Sequence, residues 1–269
     1  MNESGQEAAR GAAIEVQALV TQYGTRRILD QVSFAVPAGQ ITVILGGSGS
    51  GKSTLLRHMV ALQQPTAGRI LIQGQDLARL DRAGLTTLRT RMGILFQSGA
   101  LFNSMTVGEN VALPLREHTR LEDSTIQIMM RIKLQLVGLS GFEGFMPAQL
   151  SGGMRKRAGL ARAMAMDPQI LFFDEPSAGL DPTTAAGLDE LILKLKQTFR
   201  MTIVVVTHEL PSLFAIADFV VMLLGGRVAF AGDLAALREC SDRRVQDFLS
   251  RRPAPESEDA EGYLQTLMG

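Results

Sequence analysis

The chain has 269 residues, 27 Lys+Arg against 27 Asp+Glu, and a 46% share of hydrophobic residues. That length accommodates one large α/β domain or two small ones with an ample core, and the balanced charge supplies no global basic field for nucleic acid. The single cysteine, Cys240, excludes an internal disulfide framework and a cysteine metal cluster, as in a reducing compartment, and nothing near it in sequence marks it as an activated nucleophile.

The start, Met1-Asn2-Glu3-Ser4, is polar and has no apolar run, so it is not a secretory signal. Residues 1–12 read as a flexible leader. Ile14, Val16 and Ala18 alternate with Glu15, Gln17 and Leu19, the pattern of a half-buried strand, and Tyr23-Gly24 makes a turn. Gln31 to Val36 is a second strand, closed by Pro37-Ala38-Gly39. Ile41 to Leu45 is wholly apolar and rich in β-branched residues, as a buried strand requires. It runs into Gly46-Gly47-Ser48-Gly49-Ser50-Gly51-Lys52-Ser53-Thr54, which fits the phosphate-binding P-loop pattern. Leu55, Leu56, Met59, Val60 and Leu62 then recur at helical spacing, so a helix starts near Lys52. The glycines let backbone N–H groups close around phosphate oxygens, and the helix N-terminus adds unpaired donors. In this context Lys52 reaches the β- and γ-phosphates, Ser53 holds Mg²⁺ and Thr54 supports the α-phosphate. Ile70-Leu71-Ile72 is a further strand, and these opening strands form a small antiparallel sheet wrapped around the P-loop strand.

Met92 to Phe96 reads as a second buried strand ending at Gln97. From Ser98 to Gln149 the pattern turns helical. Asp123 to Val137 is amphipathic, with Ile126, Met129, Met130, Ile132 and Leu136 on its apolar face, which we read as core and not as a cofactor box. Ser151 is a good N-cap for a helix carrying Met154, Ala158, Ala161 and Ala165 and stopped by Asp167-Pro168. Gly152 and Gly153 at that capped start make a second anion nest. Ile170 to Phe173, Ile203 to Val206 and Phe219 to Leu223 complete a set of short apolar runs separated by helical stretches, as in a parallel sheet covered on both faces. The first of these delivers Asp174 and Glu175: Asp174 suits a Mg²⁺ shell opposite Ser53, and Glu175 is placed to activate water. The longest apolar run, Leu213 to Leu224, is broken by Asp218 and too short to span a bilayer, so the chain is expected to be soluble on its own. After Phe248 the segment Arg251 to Gly262 reads as a linker. It ends in Tyr263, Leu264, Leu267 and Met268, either a frayed end or a segment that docks on a second protomer.

Leu150-Ser151-Gly152-Gly153-Met154-Arg155-Lys156-Arg157 resembles the signature of the ATP-binding cassette (ABC) ATPases, LSGGQ followed by a basic helix. Met154 stands where the family has glutamine. The resemblance covers about residues 14 to 246 and implies a P-loop α/β fold: a mostly parallel sheet, an N-terminal antiparallel subdomain and a helical insert. The implied division is an ATPase domain over 13–246, with a helical subdomain at 98–157, followed by a linker and tail over 247–269. It also implies ATP and Mg²⁺ as cofactors, and a head-to-tail dimer in which Ser151, Gly152 and Gly153 of one protomer close on the γ-phosphate held by the other. Tyr23 matches the aromatic that stacks on adenine, and Gln97 the glutamine that senses Mg²⁺ and the water. Asp181, within Ser177-Ala178-Gly179-Leu180-Asp181, matches the acid of the loop that communicates across the dimer, and His208 the histidine on the γ-phosphate. With Glu175, His208, Lys52 and Gln97 as catalytic residues, the site is expected to hydrolyse ATP. His58 and His118 match nothing catalytic.

One cassette without coiled-coil insertions points to the ATPase subunit of a multi-chain transporter. Leu95 to Phe102 and Pro114 to Thr119 look like the corresponding stretches of the Mla-type phospholipid-transport ATPases. That resemblance implies an MlaE-like permease, an MCE-domain lipid-binding partner and a place on the cytoplasmic face of the inner membrane. It leaves room for a small accessory cytoplasmic subunit, and no nucleic acid is expected. Ala100-Leu101-Phe102 is either a docking groove for a permease helix or buried core. The alternatives are an ATPase for lipoprotein release or solute uptake, or a signalling scaffold for cell-wall machinery.

Overall fold

The computed structural model describes residues 11–251. The leader up to residue 10 and the apolar tail cluster at Tyr263, Leu264, Leu267 and Met268 lie outside them. The chain runs β1 (Ala12–Tyr23), β2 (Arg26–Pro37), β3 (Ile41–Leu45), α1 (Lys52–Met59), β4 (Ala67–Ile72), β5 (Gln75–Asp76), α2 (Arg82–Thr90) and β6 (Met92–Leu95). Three helices follow, α3 (Val107–His118), α4 (Asp123–Leu136) and α5 (Gly152–Ala163). Then come β7 (Ile170–Asp174), α6 (Pro182–Phe199), β8 (Thr202–Thr207), α7 (Leu210–Ile216), β9 (Phe219–Leu224), β10 (Arg227–Asp233), α8 (Leu234–Glu239) and α9 (Arg243–Leu249).

Two sheets result: an antiparallel one in the order β2-β1-β4-β5, and a six-stranded one in the order β10-β9-β3-β8-β7-β6. In the second, β9, β3, β8, β7 and β6 are mutually parallel and β10 closes one edge antiparallel. Its inner strands are apolar throughout because both faces are covered. Ile44, Phe172, Val204, Val206 and Val221 join α1 and the antiparallel sheet in one core. Their neighbours Val43, Leu45, Phe173, Val205 and Met222 face the helices in the other. A period of two along each strand divides the molecule into these two cores. The P-loop strand β3 lies inside the larger sheet, between β8 and β9, and α1 packs between that sheet and the antiparallel one.

Three local expectations are corrected. In β1 the alternation breaks at Ala18, which takes φ +48° and points to solvent while Leu19 is fully buried. The register of β1 shifts here against both neighbours, and Ser33 Oγ accepts the Ala18 N–H at 2.8 Å, so a bulge inserts one residue and inverts the faces beyond it. Leu62 falls after the end of α1 and is 56% exposed. Ile132 is 49% exposed, because α4 turns Ile126, Met130 and Leu134 inward and buries the stem of Lys133 beside them. Helix starts follow capping chemistry. Thr106 and Glu109 form a reciprocal capping box on α3, and Asp181 caps α6 through the N–H groups of Thr183 and Thr184.

Candidate nucleotide site

Parallel pairing brings the carboxyl ends of the strands to one edge. Leu45 is level with Thr207, Asp174 with Val206, and Leu95 with Phe173, so residues 46–54, Asp174–Glu175, Gln97 and His208 leave the sheet together. This edge is where open α/β sheets hold ligands. The glycine loop is shaped by close approach. A Cβ on Gly46 would lie 2.5 Å from the Leu223 carbonyl oxygen, and one on Gly51 2.6 Å from Leu29 Cδ2. Gly51 also takes φ +99° at the N-cap of α1, leaving that helix start with no side-chain cap. Its first-turn N–H groups are free to bind an anion, and Ser48, Gly49 and Ser53 are open to solvent.

Lys52 is buried and donates to the carbonyl oxygens of Gly46 at 2.7 Å and Gly47 at 3.0 Å. Burial pushes its ammonium pKa down, while the charges of Glu175 and Asp174 pull it back up. Glu175 Oε1 lies 3.9 Å from Lys52 Nζ, and its Oε2 lies 2.9 Å from His208 Nδ1. Glu175 holds φ +48°, a strained backbone of the kind that clusters at working sites. Burial raises the Asp174 carboxyl, with Glu175 adding to the rise and Arg57, Lys52 and Lys156 opposing it. Asp174 Oδ1 and Ser50 Oγ are shielded from solvent and have no hydrogen-bond partner. A shielded carboxylate oxygen without a partner, beside a phosphate cradle, fits a hard divalent cation.

The second glycine pair sits elsewhere. Ser151 Oγ accepts the Met154 N–H at 3.3 Å at the start of α5. A Cβ on Gly153 would come 2.5 Å from Thr184 Cγ2, so α5 starts against the head of α6, which Asp181 caps. Hydrogen bonds from Thr184 hold the Asp181 carboxyl below its usual range. Among the described residues no hydrogen bond or ion pair joins Ser151, Gly152, Gly153 or Asp181 to residues 46–54. Tyr23 ends β1 at the hairpin tip, about half exposed, its hydroxyl bonded to the Gln63 side chain.

Sequence reasoning missed Lys156, which is buried on α5 and donates to the Glu175 carbonyl oxygen at 3.0 Å, tying the signature helix to the acid pair. Its one sequence signal was standing four residues before the buried Leu160, hence on the same face. Arg57, whose charge lowers the Asp174 pKa, was missed as well.

A glycine loop built to meet an anion, with an acid and a histidine across from its lysine, places the molecule among the P-loop nucleoside triphosphatases. Comparison with known proteins narrows this. The ABC transporter family model matches residues 29–178. The intermembrane phospholipid transport ATP-binding protein MlaF of Haemophilus influenzae is 41% identical over 94% of this chain and 97% of its own. Its Escherichia coli counterpart is 45% identical over 84% of both chains. A probable ribonucleotide transport ATP-binding protein, mkl of Mycobacterium leprae, is 43% identical over 90% of this chain and 70% of its own. Among solved structures, a dimeric ATP-binding cassette in a post-hydrolysis state with ADP and Pi aligns with TM-score 0.76 at 30% identity, covering 82% of this chain and 98% of that one. The structure of cbiO1 from Clostridium perfringens, part of the ABC transporter complex cbiONQ, aligns with TM-score 0.77 at 27% identity, covering 90% of this chain and 100% of that one. The chain belongs to the ABC transporter family, and it is an ATP-hydrolysing cassette.

Proposed function

We propose that this chain is the ATPase subunit of a phospholipid transporter working between two membranes. In this reading it acts as a head-to-tail dimer on the cytoplasmic face of the inner membrane, beneath an MlaE-like permease with an MCE-domain partner. The observation that carries the reading is the 41% identity to the Haemophilus MlaF across almost the full length of both chains. A solved cassette of similar fold is dimeric, which supports the dimer. Among the described residues no helix is long and apolar enough to cross a membrane.

Each site residue has a part in the proposed reaction. The N–H groups of residues 46–54 cradle the phosphates, and Lys52 exchanges its two carbonyl bonds for β- and γ-phosphate oxygens. Glu175 takes a proton from the attacking water at its carboxylate, and His208, already bonded to that carboxylate, orients it and meets the γ-phosphate. Ser53, Gln97 and Asp174 would hold Mg²⁺, which when bound neutralises charge on the phosphates. Lys156 holds the Glu175 backbone in its strained conformation. Ser151, Gly152, Gly153 and Asp181 serve the nucleotide of the opposing protomer, which accounts for their separation from this chain's own P-loop.

Residues 98–157 form the subdomain that receives the permease in this account. Phe102 is 51% exposed with Arg162 stacked 5.7 Å from its ring centroid, while Leu101 packs on the core, so the segment 100–102 presents one aromatic and is anchored by the residue before it. Beside it a groove of 490 Å³ is lined by Ile94, Phe96, Pro114, His118 and Met166. The likeness to mkl favours ribonucleotide transport as a second reading. Purifying the chain from its own membranes decides between them. A permease, an MCE-domain protein and bound phospholipid are expected. Copurification with a different partner set, and ATPase activity raised by ribonucleotide cargo instead of phospholipid, overturns the lipid assignment.

A further inference from the structure

His58 takes no part in the chemistry above, yet it is 1% exposed and both ring nitrogens are engaged. Its Nε2 lies 2.7 Å from Thr21 Oγ1 on β1, and its Nδ1 2.9 Å from the Gln63 carbonyl oxygen beyond α1. A carbonyl only accepts, so Nδ1 carries the proton and Nε2 accepts from the threonine hydroxyl. Two residues beyond Thr21 on the strand is Tyr23, and the Gln63 side chain bonds the Tyr23 hydroxyl at 2.6–2.8 Å. The two segments are joined again where Gln22 N–H donates to Thr66 Oγ1 and Thr66 N–H to the Val20 carbonyl oxygen. The hairpin itself lies on the phosphate loop: Thr21 pairs with Leu29, whose methyl group fills the space a Gly51 side chain would need. Helix α1 therefore carries Lys52, Ser53 and Thr54 at one end and His58 in its last turn at the other.

We propose that His58 is a positioning residue for the nucleotide base: by gripping Thr21 and the Gln63 backbone it sets the Tyr23 ring relative to the phosphate loop, and so the affinity for adenine. One rigid helix then gauges the distance between the triphosphate and its base. The inference rests on the reading of Tyr23 as the adenine-stacking ring. Burial pushes the His58 ring pKa down, which keeps it neutral and preserves the acceptor that Thr21 needs.

The test is calorimetric titration of the full-length chain with ATP and, separately, with inorganic tripolyphosphate, which lacks a base. His58→Leu keeps volume and removes both bonds; Gln63→Ala, at a partly exposed site, severs the link to Tyr23 with little risk to folding. Loss of one or two neutral hydrogen bonds from the positioning network should weaken ATP binding about fivefold to twentyfold. Tripolyphosphate binding should be unchanged, and the ATPase should show a raised KM with kcat unaltered. In a Tyr23→Ala background His58→Leu should have no further effect on ATP. Equal weakening of ATP and tripolyphosphate, or an undiminished His58→Leu effect without the Tyr23 ring, overturns the proposal and leaves His58 a packing residue. Should Tyr23→Ala alone leave ATP affinity intact, the reading of Tyr23 fails, and the role of His58 with it.

Discussion

Replacing Glu175 by Gln separates two accounts of that residue by magnitude. The carboxylate faces Lys52 at 3.9 Å and His208 at 2.9 Å, and glutamine has the same shape without the charge or the basicity. If Glu175 served only as an ion partner of Lys52, removing one member of so shielded a pair would be felt in folding stability and in ATP affinity, while turnover at saturating ATP would fall by less than about tenfold. If it takes the proton of the attacking water, turnover should fall about 10²–10⁴-fold, or about 2.7–5.4 kcal/mol of barrier. Binding should not suffer, since Lys52 and the N–H groups of the loop are untouched and one negative charge leaves the neighbourhood of the triphosphate. Phosphate release at saturating ATP measures the first quantity and calorimetric titration the second. A rate loss of less than about tenfold, with ATP bound normally, would refute the assignment of Glu175 as base.

Gly51→Ala and Gly49→Ala both place a side chain at positive φ, +99° and +76°, but only the Cβ at 51 meets anything, Leu29 Cδ2 at 2.6 Å and the Ile28 carbonyl oxygen at 3.2 Å. The backbone strain of about 1–2 kcal/mol is common to both, so chemical denaturation should show Gly51→Ala as the more destabilised of the two. Phe172 is completely buried in the core beneath α1, and Phe172→Ala should cost about 3–5 kcal/mol, whereas Leu62→Ala, at a 56% exposed site, should stay within about 0.5 kcal/mol. For His58 the folded-state pKa lies below the ordinary 6.5. The native chain then binds that proton less readily than the unfolded one, so the stability contribution is whole above pH 6.5 and shrinks as pH falls toward the folded value. Melting curves at about pH 7.5 and 5.5 should show a loss in the wild type that is smaller in His58→Gln, a side chain with no charged form to gain.

Much of the site was legible before any coordinates, because its parts are local. A glycine loop between an apolar strand and a helix, an acid pair at a strand end, and a serine-capped helix starting with two glycines are each contained in a dozen residues or fewer. Their periodicity of two or 3.6 survives whatever the rest of the chain does. Even so, the same reasoning put Ala18 on the wrong face. Alternation presumes an unbroken ladder, and the bulge is set by pairing with β2 and β4, from up to about fifty residues away.

What the sequence alone determined is the kind of ligand: backbone donors without caps, a lysine among glycines and adjoining carboxylates specify a nucleoside triphosphate wherever they fold. What the tertiary structure decided is which groups meet. The strand order β9-β3-β8-β7-β6 brings the ends of β3, β8 and β7 side by side, so that Glu175 reaches both Lys52 and His208 while the Asp174 oxygen is left shielded and unpartnered. Lys156 and His58 found their partners the same way, each across at least one other element. Residue type and spacing record what a short segment prefers, while side chains distant along the chain are brought together only by the packing of whole strands and helices.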